Sequence, residues 1–255
     1  MLRDPRCITG RPTGDLRVPV TVTLVRRAVA EAVGTAFLVA AVVGSGIAAQ
    51  RLSPHDVGLQ LLENSVVTGA ALVALVLALQ PVSAAFNPAV TLVEMALGVV
   101  RPRAGLVLVG AQVVGGFTGA VVANLMFGLD AVDLATRHRG GAGLWLAEVV
   151  ATLGLVTVVF GTVRSRRPDR VAYAVGTYIT AAYWFTSSTS FANPAVTLAR
   201  TVSNSFAGIA PASVPVFVVM QLVGAALGGL LVRLLFPVGP PGPVTGPPIP
   251  EGAVP

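Results

Sequence analysis

Glu31 and Glu148 are the residues whose chemistry stands out. Each lies inside apolar sequence, AEAVGTAFLV and AEVVATLGLV, four places ahead of a threonine. An ionisable side chain is costly in a segment that crosses a membrane, so it needs a reason to be there. Two reasons suit a carboxylate: accepting hydrogen bonds from the N–H groups of a non-helical loop, or relaying protons. The first is expected of both residues, with the second as the alternative. Other chemistry finds little footing. His55 and His138 have no second ligand at metal spacing, and the single cysteine, Cys7, permits neither an intrachain disulfide nor a cysteine metal cluster. No Ser/His/Asp set, glycine-rich phosphate loop or acidic pair occurs within the apolar sequence. The expectation is a protein that is not an enzyme and carries neither metal nor cofactor. Glu94 is left without a role.

The second conspicuous feature is an Asn-Pro-Ala written twice, in AFNPAVTL from Ala85 and FANPAVTL from Phe191. Asn before Pro is a sound helix start, because the Asn side chain caps an orphan N–H and Pro in the first turn loses nothing by lacking its own. Asn87 and Asn193 are therefore expected to cap two helices, at about 87–98 and 193–204. About eleven residues reach only ~16 Å, half a bilayer. Inside apolar sequence these must be re-entrant half-helices.

The elements that position these residues follow from composition. The chain is 54% hydrophobic and 11% charged, with a mean hydropathy of +0.81. Apolar segments near 24–49, 62–82, 104–127, 144–163, 171–189 and 212–236 each approach the ~20 residues that span a membrane. Three matched pairs in the same order, AEAVGTAFLV with AEVVATLGLV, the two Asn-Pro-Ala stretches, and AQVVGGFTGA with MQLVGAALGG, mark a duplication. Each half holds three spans and one half-helix, and because three is odd the second half is inverted. The expected fold is an all-α membrane protein with six transmembrane helices and two half-helices. Repeat one covers about 24–127 and repeat two about 144–236. Residues 1–23 are expected to be a disordered cytoplasmic tail rather than a cleavable signal, and the Pro/Gly-rich residues 237–255 an extended tail.

The net charge of +6 comes from arginines gathered in tails and loops, which speaks for membrane sorting and against nucleic acid. With the N-terminus inside, thirteen arginines fall on the cytoplasmic side, and Arg51, Arg137, Arg139 and Arg200 outside. Inversion brings the two half-helix N-termini together near the midplane, where each carries about half a positive charge. That arrangement opposes cations, while Asn amides and the carbonyls of 82–86 and 189–192 offer hydrogen bonds to a neutral, oxygen-bearing solute. Gly115 and Gly119, matched by Gly224 and Gly228, form small-xxx-small faces for close helix packing.

The paired motifs Asn87-Pro88-Ala89 and Asn193-Pro194-Ala195, the Glu-to-Thr spacing in the first and fourth spans, and the repeated Gln-xx-Gly resemble the aquaporin or major intrinsic protein family over about residues 24–236. The resemblance implies a pore in each subunit of a homotetramer in the plasma membrane, with both termini cytoplasmic, conducting water or small uncharged solutes. Most members carry an arginine directly after the second motif as part of an outer filter. Val196 stands there instead, and Arg200 comes one turn later, its side chain not required to face the lumen. Counting from the motifs places the remaining filter positions at Ala181, Ser190 and Val67 or Thr68. None is large, aromatic or charged, so the resemblance implies a wide, weakly polar filter suited to glycerol-like polyols or neutral metalloid hydroxides such as arsenous acid. The sequence around the second motif is also similar to a bacterial subgroup that often accompanies arsenic resistance. The alternatives are a water-selective channel and an inverted-repeat secondary transporter.

Overall fold

A computed structural model describes residues 22–236. Apart from Val22 and Thr23, the expected tails, and Cys7 with them, lie outside the described residues. Eight α-helices follow in order: α1 Leu24–Leu52, α2 Val57–Leu79, α3 Pro88–Ala96, α4 Pro102–Met126, α5 Ala142–Arg164, α6 Val171–Phe185, α7 Pro194–Ala199 and α8 Val214–Leu235. Among the described residues no strand occurs.

Five of these helices, α1, α2, α4, α5 and α8, are long and apolar enough to cross a membrane. The sixth expected span, 171–189, is shorter than composition suggested. Helix α6 has 15 residues and stops at Phe185, because the chain turns away through Thr186 to reach Asn193 in the interior. At 1.5 Å per residue α6 covers ~22 Å. The half-helices are short too: α3 has nine residues, and α7 has six before a 3-10 turn at Arg200–Val202.

The packing follows the duplication. Helix α1 lies against α4 and α2, as α5 lies against α8 and α6; α2 crosses α6, and each half-helix packs on the long helix of the opposite repeat, α3 on α8 and α7 on α4. The glycine faces explain the two tightest pairs. A Cβ on Gly115 or Gly119 would collide with the carbonyl oxygens of Ala32 and Ala36 in α1. On Gly224 it would lie 2.5 Å from the Val149 oxygen, and on Gly228 2.9 Å from that of Leu153, both in α5. Backbone-to-backbone approach of this kind replaces the hydrophobic drive that lipid does not supply.

Polarity is arranged outside-in. Phe37, Leu106, Val114, Trp184 and Leu230 are more than half exposed, whereas Glu31, Gln112, Asn124, Glu148, Thr197 and Gln221 are wholly buried. Apolar outer surface with polar groups gathered at the centre is the pattern of a membrane protein whose interior is hydrogen-bonded or wet.

Candidate pore and its lining

The two half-helices begin at the centre of the molecule. The Asn87 side-chain oxygen accepts from the Ala89 N–H at 2.9 Å, and that of Asn193 accepts from Ala195 and Val196 at 3.0 and 3.2 Å. Their amide nitrogens do something the spacing did not reveal. Asn87 Nδ2 donates to the Ala192 carbonyl and Asn193 Nδ2 to the Phe86 carbonyl, both at 2.8 Å, so the repeats are cross-braced. Each amide has two N–H groups, and one on each side stays available to the cavity that both residues line. The carbonyls turn toward each other because Phe86 and Ala192, the residues just before each Asn, hold left-handed backbone with φ of 48° and 45°. Such a conformation costs roughly 1–2 kcal/mol per residue outside glycine, and the surrounding bonds must hold it.

Those bonds come from the buried acids. Glu31 accepts from Ser83 Oγ at 2.5 Å and from the N–H groups of Ala85 and Phe86 at 2.9 and 2.6 Å. Glu148 accepts from Phe191 and Ala192 at 3.0 and 2.9 Å. A glutamine completes each cluster: Gln112 Nε2 bridges Glu31 and Thr91 Oγ1 at 2.8 and 2.9 Å, and Gln221 Nε2 bridges Glu148 and Thr197 Oγ1 at 2.6 and 2.8 Å. The loops of both repeats are thus held by one carboxylate each. The roles of the glutamines were missed, although their matched places in the repeat were a visible signal.

A cavity of about 650 Å³ runs past this centre. One end is walled by Arg27, Gln80, Pro168 and Asp169; Asn87, Val90 and Glu94 line it at helical spacing, and Arg200 stands at the other end. Glu94, which had no assigned role, therefore faces the lumen, in its half toward Arg27.

The expected filter needs correction. Thr68, Ser190 and Val196 line the cavity, but Val67 and Ala181 do not. Val67 is 42% exposed on the outside of α2, and Ala181 is exposed on the outer face of α6. The count back from Asn193 failed because α6 ends early, and the residue turned inward is Tyr183, whose hydroxyl lies 3.2 Å from Thr68 Oγ1. The buried set Ala172, Val175, Gly176, Ile179, Ala182 and Tyr183 gives the phase that excludes Ala181. Arg200 is also a lining residue, with 2% exposure, its Nε donating to the Ala207 carbonyl and its guanidinium carbon 3.5 Å from the centre of the Phe191 ring. An aromatic and a charged residue, Tyr183 and Arg200, thus line the cavity beside the expected filter positions Thr68, Ser190 and Val196.

The outer wall is built by the α4–α5 connection. Arg137 and Arg139 donate to the Phe206 carbonyl at 3.0 and 3.3 Å, Arg139 Nε donates to Gly208 at 3.0 Å, and Arg139 covers Phe191 at 4.9 Å. Burial, and then the neighbouring charges of Arg200 and Arg137, push the Arg139 guanidinium below its usual range. A guanidinium remains charged even so, and these carbonyl bonds and ring faces make its burial tolerable.

An all-helical inverted repeat with two braced half-helices around a lined cavity defines a membrane protein of the aquaporin class of folds. The chain belongs to the major intrinsic protein family: the family model so described matches residues 19–186 and 166–242. It is 50% identical over 219 residues to the aquaglyceroporin AqpS of Rhizobium meliloti (strain 1021), covering 85% of this chain and 93% of that protein. The fold is similar to the X-ray structure of the aquaglyceroporin from Plasmodium falciparum, with a TM-score of 0.64 at 19% identity, over 83% of this chain and 100% of that one.

Proposed function

We propose that the protein is a passive channel for small uncharged solutes, passing water, glycerol-like polyols and neutral metalloid hydroxides such as arsenous acid. The observation that carries this reading is the pair of half-braced asparagine amides lining one cavity between the repeats. Each presents an N–H to the oxygen of a passing molecule, while its side-chain oxygen is turned to cap its own half-helix. Donors fixed by protein bonds replace part of a solute's hydration without reorganising. Cations are opposed by the same donors and by the half-helix N-termini around them. The AqpS relative's description as an aquaglyceroporin supports the solute class.

Channel subunits are further proposed to assemble as homotetramers in the plasma membrane with both termini cytoplasmic, as the arginine distribution suggests. Transport is downhill and involves no chemical conversion. Glu31 and Glu148 serve as loop supports rather than proton relays, because loop or glutamine donors engage every carboxylate oxygen.

The test is stopped-flow swelling of liposomes holding the purified chain, with glycerol, urea, arsenous acid and water compared. Flux that is linear in solute concentration and independent of any ion gradient is expected. Water flux with glycerol excluded would point to a water-selective channel, and saturable, gradient-dependent uptake to a secondary transporter.

A further inference from the structure

We infer that Glu94 is the residue that turns small anions back in the half of the pore toward Arg27. The inference rests on the channel reading above. Glu94 lies on α3, seven residues beyond Asn87, and lines the cavity together with Asn87 and Val90. It is half-buried. The ion pair found among the described residues joins Arg170 to Asp169, and Glu94 has no such partner.

Packing does not ask for a carboxylate at this place. Glu94 stands in the last turn of α3, the end at which the helix dipole disfavours negative charge. Arg233, the cation of the neighbouring helix α8, is engaged by the Ala96 carbonyl. Glu31, the buried acid of the same repeat, is a different case, because Ser83, Ala85, Phe86 and Gln112 all donate to it. An acid kept unpaired at the unfavourable end of a half-helix, with its side chain on the cavity wall, is explained by what its charge does to the lumen.

The charged side chains lining the cavity are Arg27, Glu94, Asp169 and Arg200. Asp169 is exposed and faces Arg170 in water, where charge is screened, and Arg27 stands with it at the mouth. Helices α1 and α4 begin on this side and α5 ends there, so the exposed Arg101, Arg103, Arg166, Arg167 and Arg170 gather mobile anions around the opening. Further in, the N-terminus of α3 and the asparagine amides favour negative charge again. An anion of the cargo's size would therefore be drawn inward from this mouth. The Glu94 carboxylate opposes it on the way, whereas a neutral polyol finds there an acceptor for its own hydroxyls. Cations, which Glu94 does not repel, are stopped by the donors at the centre.

Two experiments on the full-length chain test this. In liposomes, reswelling after a hyperosmotic pulse of potassium nitrate, with valinomycin carrying the potassium, reads anion entry. The wild type should match protein-free liposomes. Glu94→Gln should raise nitrate entry about 10- to 100-fold, the factor a unit charge several ångströms away exerts at intermediate dielectric, with sodium still excluded. Glu94→Asp keeps the charge and should keep the barrier, and Arg27→Gln should open no anion leak. Unchanged nitrate entry in folded Glu94→Gln overturns the inference. So does a leak that sodium shares, which marks a loosened pore, or an equal nitrate leak in the wild type, Glu94→Asp or Arg27→Gln. The second experiment leaves Glu94 in place, so it decides even if Glu94 variants fail to fold. Val90→Cys in a Cys7→Ser background, in membrane vesicles with the Arg27 mouth outward, is labelled with thiosulfonate reagents of opposite charge and similar size. Exposed arginines favour the anionic reagent at the mouth, so a cationic reagent that reacts faster by about 10-fold reports the Glu94 charge inside it. Equal rates, or a faster anionic reagent, would overturn the inference. Absence of solute flux in the wild type would instead defeat the channel reading, while the labelling ratio would still report on Glu94.

Discussion

Replacing Glu148 with glutamine probes the support of the second loop without changing side-chain size. The carboxylate receives three donors, Phe191 N–H and Ala192 N–H at 3.0 and 2.9 Å and Gln221 Nε2 at 2.6 Å; the two backbone N–H groups cannot reverse to accept, and Gln221 Nε2 is held toward the carboxylate by its second bond to Thr197 Oγ1. A glutamine has one oxygen. Its best orientation keeps the oxygen toward Ala192 and Gln221 and turns its NH₂ against the Phe191 N–H. That orphans one buried donor at about 1–3 kcal/mol and weakens two bonds from charge-assisted to neutral at about 1 kcal/mol each. Relief from burying a charge offsets part of this, leaving a net destabilisation of about 2–4 kcal/mol. For a domain of this size 1 kcal/mol shifts Tm by about 2–4 °C, so unfolding in detergent should come about 4–16 °C earlier. Solute flux should fall with it, because Phe191 and Ala192 carry the Arg200 platform and the Asn87 acceptor. A Tm within a degree of wild type combined with a changed proton current would refute the support role and favour a relay.

Val196→Arg adds a second guanidinium to the cavity that Arg200 already lines and is expected to cut glycerol flux at least tenfold while water still passes, measured by swelling rates. Asn193→Asp removes the donor to the Phe86 carbonyl and places an anion at the centre; cation and proton leak should rise and Tm should fall by several degrees. Gly119→Val forces α4 off the Ala36 backbone and is expected to cost about 1–3 kcal/mol or more as overpacking, read as earlier thermal unfolding, whereas Gly110→Val, at a position with open space around it, should be silent. Thr68→Val unpairs the Tyr183 hydroxyl and is expected to alter the ratio of glycerol to water flux without lowering expression.

The sequence by itself determined the duplication, its inversion, the two half-helices and the buried acids. These are written in local signals: matched stretches, Asn-Pro starts, and charges stranded in apolar sequence. Gly115, Gly119, Gly224 and Gly228 were legible for the same reason, since a close approach leaves no room for a side chain in either copy of the repeat. Tertiary structure alone decided which side chains meet in the lumen. Tyr183 replaced Ala181 because α6 ends at Phe185, and a two-residue difference along a helix turns a side chain by about 200°, from lipid to lumen. Arg200 faces inward because the carbonyl of Ala207 and the ring of Phe191 hold it there, and both belong to loops whose path spacing cannot give. The cross-brace between Asn87 and Ala192 joins residues 105 positions apart. It exists only once two inverted halves have packed, so no local pattern could have announced it.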